Sequence, residues 1–262
     1  MSERLLDGAG VLITRPRHQA GKLADAIESQ GGIAHLFPVI EILAGNSAAV
    51  EAQVAKLQTP DITVFISRNA VRHGLPYATG DIAAIGPATA AALRAAGIAV
   101  DICPDSGFDS EHLLAEAAFD DVADKTIRII RGENGRDLLA STLRERGAHV
   151  DYVCTYSRAT PEYSRSDLAS LEQHWRKGDI SAVTVMSVHS LRNLNTLLPD
   201  WCREQMRLTP LVTPAARVLK EALQQHPGCP AVLADGPRSD DIVNAIAAAL
   251  EISASRPLPG TS

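Results

Sequence analysis

Five short stretches of this sequence place a hydroxyl or a guanidinium where an apolar run gives way to a helix-compatible one. They are TRPR (Thr14 to Arg17), SRNA (Ser67 to Ala70), GPAT (Gly86 to Thr89), RGENGR (Arg131 to Arg136) and SVHS (Ser187 to Ser190). A helix that opens there exposes backbone N–H groups that no preceding turn satisfies. With Ser, Thr or Arg beside them, such mouths suit anions, carboxylates in particular. IGPATAAALRAAG is the most explicit case: Pro87 fits the first helical position, Gly97 fits the stop, and Thr89 is the one hydroxyl in the first turn. At any single loop, helix capping alone accounts for these residues. Five of them at equivalent positions make a binding surface the better reading.

The elements that must position these loops are legible as alternating runs. GVLIT, IAHLFPVIEI, ITVFIS, DIAAIG, IAVDIC, TIRIIR, HVDYVCTY, ISAVTVMS, TPLVT and PAVLA are each followed by a helix-compatible stretch or a turn. This is the pattern of an α/β protein with parallel sheets covered on both faces. The halves also repeat: Val11, Ile13, Arg15, Leu23, Ile27 and Gly31 match Ile127, Ile129, Arg131, Leu139, Leu143 and Gly147 at one constant offset. VFISRNAVR likewise parallels TVMSVHSLR, IGPATA parallels VTPAAR, and FDSEHLL parallels PRSDDIV. Two similar lobes are therefore expected, each a parallel sheet flanked by helices. Ligands of open parallel sheets bind at the carboxyl ends of strands, which directs attention to the repeated loops and to a cleft between lobes. IAHLFPVIEI and HVDYVCTYSR are longer than the other strands and read as two crossings between lobes, side by side as a short ladder. Tyr156 then sits at the hinge, where core filling is the ordinary role of a strand tyrosine.

Composition excludes several function classes. Net charge is −6 and aromatics are 4% of 262 residues, which argues against a nucleic-acid partner. It leaves room for a small polyanion in a local basic cleft. Cys103, Cys154, Cys202 and Cys229 are far apart with no C-x-x-C, so neither zinc nor a redox pair is signalled. Dinucleotide, P-loop, metalloprotease and hydrolase-elbow motifs lack their residues, and the histidines are scattered. No cofactor and no metal are expected. The start of the chain lacks the organisation of a signal peptide, and its least polar run is broken by Gly86, Pro87, Arg94 and Gly97, so a cytoplasmic protein without a membrane span is expected. The segment from Ser253 to Ser262 reads as a disordered tail.

In order, VLITRP, FPVIEI, FISRNAV, AAIGPATAAALRAAG, GRDLLASTLRERGAHVDYVCTYSR and VTVMSVHSL resemble the uroporphyrinogen-III synthase family. The likeness extends to about Leu250; each motif is weak, and their order and spacing are specific. It implies one discontinuous lobe (1–36 with 160–252), a second lobe (43–150), and linkers at 37–42 and 151–159. It also implies a cofactor-free reaction, in which hydroxymethylbilane loses its terminal hydroxyl and closes to uroporphyrinogen III with ring D inverted. Tyr156 matches the family's candidate general acid, a phenol that keeps its proton at neutral pH. Gly86 and Thr89 match a carboxylate-binding helix mouth, and Ser67 and Ser187 match post-strand serines. Thr14, Arg15 and Arg131 complete the expected substrate contacts. One motif departs: the second lobe reads VTPAAR, with Thr213 in a glycine position and Ala215 and Ala216 where hydroxyls are common. Thr213 is expected to supply the missing hydroxyl. A monomer is expected, with transient contact to hydroxymethylbilane synthase. The competing reading is a non-catalytic two-lobed relative that binds a tetrapyrrole or polycarboxylate.

Overall fold

The computed structural model describes residues 4–133 and 135–254. The chain divides into two compact units: one takes the described residues up to Glu41 and from Thr160 onward, the other is the continuous segment Ile42–Ala159. Strands β1 (Gly10–Ile13) and β2 (Ile33–Leu36) begin the discontinuous unit. Strands β3 (Glu41–Ala44), β4 (Ile62–Phe65), β5 (Asp81–Ala84), β6 (Thr126–Gly132) and β7 (His149–Ala159) make the second sheet, after which β8 (Ala182–Thr184), β9 (Leu211–Thr213) and β10 (Ala231–Leu233) return to the first.

The sheet orders are β10-β9-β8-β1-β2 and β3-β7-β6-β4-β5. Within the first sheet every pairing is parallel, as are the β7–β6, β6–β4 and β4–β5 pairings of the second. A parallel sheet covered by helices on both faces needs apolar residues on both sides of each central strand. That is the composition of β1 (GVLI) and β4 (ITVF), in which every residue is buried.

The repeat seen in the sequence corresponds to one shared βα unit. The helix Arg17–Ser29 after β1 buries Ala20, Leu23 and Ile27. The helix Leu138–Glu145 after β6 buries Leu139, Ala140 and Leu143. Both stop at a glycine with positive φ, Gly31 at 82° and Gly147 at 90°, a backbone conformation that favours a residue without Cβ. In matching order, β9, β8, β1 and β2 of one sheet correspond to β5, β4, β6 and β7 of the other.

Four details differ from the sequence reading. IAVDIC forms only an isolated bridge, Ala83 to Ile102; there the Asp101 carboxylate itself accepts the Ile82 N–H at 2.8 Å. IAHLFPVIEI splits around Pro38 into β2 and β3, one in each sheet. The break is pinned by Tyr163, whose ring stacks on Phe37 at 4.4 Å and whose hydroxyl donates to the Pro38 carbonyl at 2.8 Å. Residues 151–159, expected to connect lobes, belong to β7, which pairs with β6 as far as Tyr156 with one shift of register after Cys154. At the far end the helix Ser239–Ala254 extends past Ser253, and the rest of the expected tail, 255–262, lies outside the described residues. Among the described residues no helix is long and apolar enough to cross a membrane.

Candidate active site

A parallel sheet opens a crevice where successive connections leave in opposite directions. In the first sheet β1 is flanked by β2 and β8, so the switch lies between β1 and β8; in the second it lies between β4 and β6. The residues just past these four strands are Thr14 and Arg15, Ser187, Ser67, and Arg131 with Gly132 at the end of β6. Sheet topology and side-chain chemistry thus select the same loops.

In the continuous unit Ser67 caps the helix Arg68–Gly74, its Oγ accepting the Ala70 N–H at 3.0 Å. The same Oγ lies 3.0 Å from the hydroxyl of Tyr156. Ser67 is half-buried, whereas Tyr156 is 2% exposed and packs with Phe65, Val71, Ile130 and Val153. A break in strand register places Tyr156 there. The β6–β7 pairing runs Arg131 to Cys154 and then Gly132 to Tyr156, leaving Thr155 as an extra residue. Such a bulge re-aims the side chains after it. Without it, Tyr156 would share a face with Tyr152, which packs in the opposite cluster beside Ile129 and Leu139. Gly132 then faces the phenol, where an added Cβ would stand 2.7 Å from Tyr156 Cε2. The His73 ring lies 6.0 Å from that of Tyr156.

The next loop carries Gly86 at the N-cap of the helix Pro87–Ala95. Its backbone is extended (φ 174°, ψ 175°) and its Cα passes against Phe108 and Gly107, so a Cβ would stand 3.2 Å from Phe108 Cα. Thr89 is 4% exposed, and its N–H bonds the Gly86 carbonyl at 3.0 Å. The cap has no side-chain hydrogen bond. The N–H groups of this mouth are therefore not taken up by a capping side chain.

Arg131 is 4% exposed. Its Nε donates to the Gly132 carbonyl at 3.2 Å, its Nη1 to Asp137 at 3.2 Å, and its guanidinium lies 4.4 Å above the Tyr152 ring. The Tyr152 hydroxyl also donates to Asp137, at 3.0 Å. Those two donations, the tyrosine's first and then the arginine's, hold the Asp137 carboxyl below its ordinary range. Burial, followed by the bond to Asp137, pushes the Tyr152 phenol up. Arg131 and Tyr152 line a pocket with Ile66, Ile85, Ile129 and Leu139, together with Phe108, Asp109, Ser110 and Arg136. Cation and apolar wall together suit a ring bearing a carboxylate arm.

The discontinuous unit presents a more closed set. Thr14, 1% exposed, spends its hydroxyl on the Thr184 carbonyl at 2.7 Å and so ties β1 to β8. Arg15 Nη2 donates to Met186 Sδ at 3.0 Å and to the Pro237 carbonyl at 3.3 Å. Ser187 caps the helix Val188–Leu197, accepting the Ser190 N–H at 3.0 Å. Its partner hydroxyl, 2.8 Å away, is that of Ser190. Thr213 is fully buried, its Oγ1 accepting the Ala215 N–H at 3.2 Å. The substitute hydroxyl expected at Thr213 is thus occupied inside its own turn.

The structure brings Ser67 directly to Tyr156 and sets Gly86, Thr89 and Arg131 at the carboxyl ends of the same sheet. The sequence reading held Gly132 only within the RGENGR loop and missed Tyr152, Asp137 and Phe108. Only Tyr152 carried a sequence signal, standing four residues before Tyr156 in the same apolar run.

The family described as uroporphyrinogen-III synthase HemD matches residues 21–244. Uroporphyrinogen-III synthase of Escherichia coli (strain K12) is 31% identical over 212 residues, 76% of this chain and 83% of the relative. That of Salmonella typhimurium is 31% identical over 210 residues, with the same coverage. Among solved structures, a mutant uroporphyrinogen III synthase from the extremely thermophilic bacterium Thermus thermophilus superposes with a TM-score of 0.59 at 19% identity, covering 94% of this chain and 100% of that one. Uroporphyrinogen-III synthetase from Helicobacter pylori gives a TM-score of 0.59 at 12% identity, covering 94% of this chain and 99% of that one. These structural likenesses concern the fold.

Proposed function

The chain belongs to the uroporphyrinogen-III synthase family, and on that premise we propose that it cyclises hydroxymethylbilane to uroporphyrinogen III in the synthesis of haem, sirohaem and cobalamin. The observation that carries the reading is the hydroxyl pair of Tyr156 and Ser67, 3.0 Å apart beside the β4–β6 crevice. The reaction begins with departure of a hydroxyl, and hydroxide leaves poorly unless protonated. The O–H of a phenol is a suitable donor for that step. The adjacent pyrrole nitrogen supplies the electrons, water departs, and an azafulvenium remains. Ring D then attacks through its substituted carbon, passes through a spiro intermediate and reconnects inverted.

Closure without the protein gives the non-inverted isomer I, so the chain's larger task is to hold the substrate in the geometry that leads to isomer III. The helix mouth that opens at Gly86, with no capping side chain on it, suits a carboxylate without a fixed positive charge, in keeping with an acidic protein. Arg131 and the pocket beside it supply a buried cation at this end of the second sheet. Because the free substrate closes spontaneously, transient contact with hydroxymethylbilane synthase would shorten its free lifetime. The four free cysteines support a reducing, cytoplasmic setting.

The test is to generate hydroxymethylbilane in situ with its synthase, add the protein, oxidise the products and separate the uroporphyrin isomers by chromatography. Predominant isomer III is expected. Isomer I at the uncatalysed rate from folded protein would reduce the chain to a tetrapyrrole-binding relative.

A further inference from the structure

We propose that Ser67 is the group that delivers the proton, relaying it from Tyr156 to the departing hydroxyl. This rests on the reading of the reaction given above. Tyr156 is 2% exposed, and its ring is enclosed by Phe65, Val71, Ile130 and Val153. Among the described residues its hydroxyl is bonded only to Ser67. A donor so enclosed reaches a substrate through an intermediary, and Ser67 is the half-buried member of the pair.

The hydrogen bonds of Ser67 leave its proton available for this. A serine hydroxyl has one donor and two acceptor positions. The Ala70 N–H occupies one acceptor position at 3.0 Å, and in the orientation the relay uses, the Tyr156 hydroxyl 3.0 Å away donates to the other. The serine's own proton is then directed away from both. The capping bond also fixes Oγ to the first turn of its helix, so little reorganisation precedes transfer. Ser187 shows what an ordinary cap at the equivalent loop looks like: its hydroxyl partner is another serine, Ser190, with no phenol behind it.

The step balances. The Tyr156 O–H bond breaks and its proton passes to Ser67 Oγ, while the Ser67 proton passes to the leaving oxygen. The C–O bond breaks with its electron pair going to that oxygen, water departs, and the pyrrole nitrogen lone pair forms the azafulvenium. When ring D reconnects and regains aromaticity, its ring carbon loses a proton, which returns through Ser67 to the tyrosinate.

The experiment compares wild type, Ser67→Ala, Ser67→Thr, Ser67→Asn, Tyr156→Phe and the Ser67→Ala/Tyr156→Phe double variant in the isomer assay, separating kcat from KM. Ser67→Ala and Tyr156→Phe should each lower kcat roughly ten- to a thousandfold. The double variant should be no slower than the slower single one, because residues acting as one unit are not additive. Ser67→Thr should restore most of kcat. Ser67→Asn keeps a good helix cap without a hydroxyl, so it should lose kcat while folding normally, which covers a Ser67→Ala chain that fails to fold. A change confined to KM, or losses that multiply in the double variant, would make Ser67 a substrate anchor and overturn the relay. A wild-type chain that yields only isomer I would overturn the functional reading, and the relay with it.

Discussion

Gly132 has no side chain at the point where the Tyr156 ring passes, and a Cβ there would stand 2.7 Å from Cε2 and 2.9 Å from Cζ. Real Cβ atoms do not approach so closely, so Gly132→Ala should push the phenol off Ser67. The expected outcome is at least a tenfold fall in isomer III formation with an unchanged circular dichroism spectrum; full activity would show that the 3.0 Å contact is dispensable. Arg131 makes a different kind of claim, because its planar group both stacks on Tyr152 and bonds Asp137. A lysine keeps the charge and loses the fork and the stack. Arg131→Lys should therefore raise KM several-fold with kcat near wild type, whereas equal losses in both would place Arg131 in the chemical step. At this scale the residue types Ser67, Arg131 and Tyr156 were readable in the sequence as helix-mouth or strand-end residues. Their partners were not, since Ser67 and Tyr156 are 89 residues apart and the sequence carries no signal of who meets whom.

The element that decides the site is the bulge at Thr155. Strict alternation along HVDYVCTY puts Tyr152 and Tyr156 on one face, yet Tyr152 packs by Leu139 and Tyr156 by Val153. One extra residue opposite the Arg131/Gly132 step reverses the face. Periodicity predicts strands well here, and it fails at this point because a bulge leaves no compositional mark. The strand has a cost at the same place: Thr155 Oγ1 is buried without a hydrogen-bond partner among the described residues. Removing an orphaned buried hydroxyl while keeping its shape should gain stability. Thr155→Val is expected to raise the unfolding free energy by about 1 kcal/mol, read from urea denaturation; a loss of stability would mean that the hydroxyl has a partner in solution. The break at Pro38 was legible only as a proline inside a long apolar run. Its resolution into β2 and β3 depends on the distant Tyr163.

For the whole molecule, the α/β class and the repeated βα unit were legible because buried parallel strands demand continuous apolar runs and helix stops demand glycine. Sheet order was not, and with it the switch points that single out Ser67 and Arg131. The discontinuous unit also carries a pH dependence of its own. Burial, and secondarily His174, lowers the pKa of His35; burial, and secondarily Arg207, lowers that of His226. The unfolded chain therefore takes up these protons first, and stability is full above the unfolded value of about 6.5 and declines as pH falls from there toward the lower folded values. Urea midpoints should fall between about pH 7 and pH 5.5, and the fall should shrink in a His35→Gln variant; a flat profile would show both rings protonating freely in the fold. The thiols should be quiet, with Cys202 pushed up to about 11 by burial.

In the proposed reaction the phenol of Tyr156 is the source of the proton that releases water from the substrate. The most direct measurement is the rate of uroporphyrinogen III formation by Tyr156→Phe at saturating hydroxymethylbilane, beside wild type and with the fold verified. A fall of roughly ten- to a thousandfold, with spontaneous isomer I taking over the product, is the predicted result. A rate equal to wild type would contradict the claim and place the acid elsewhere.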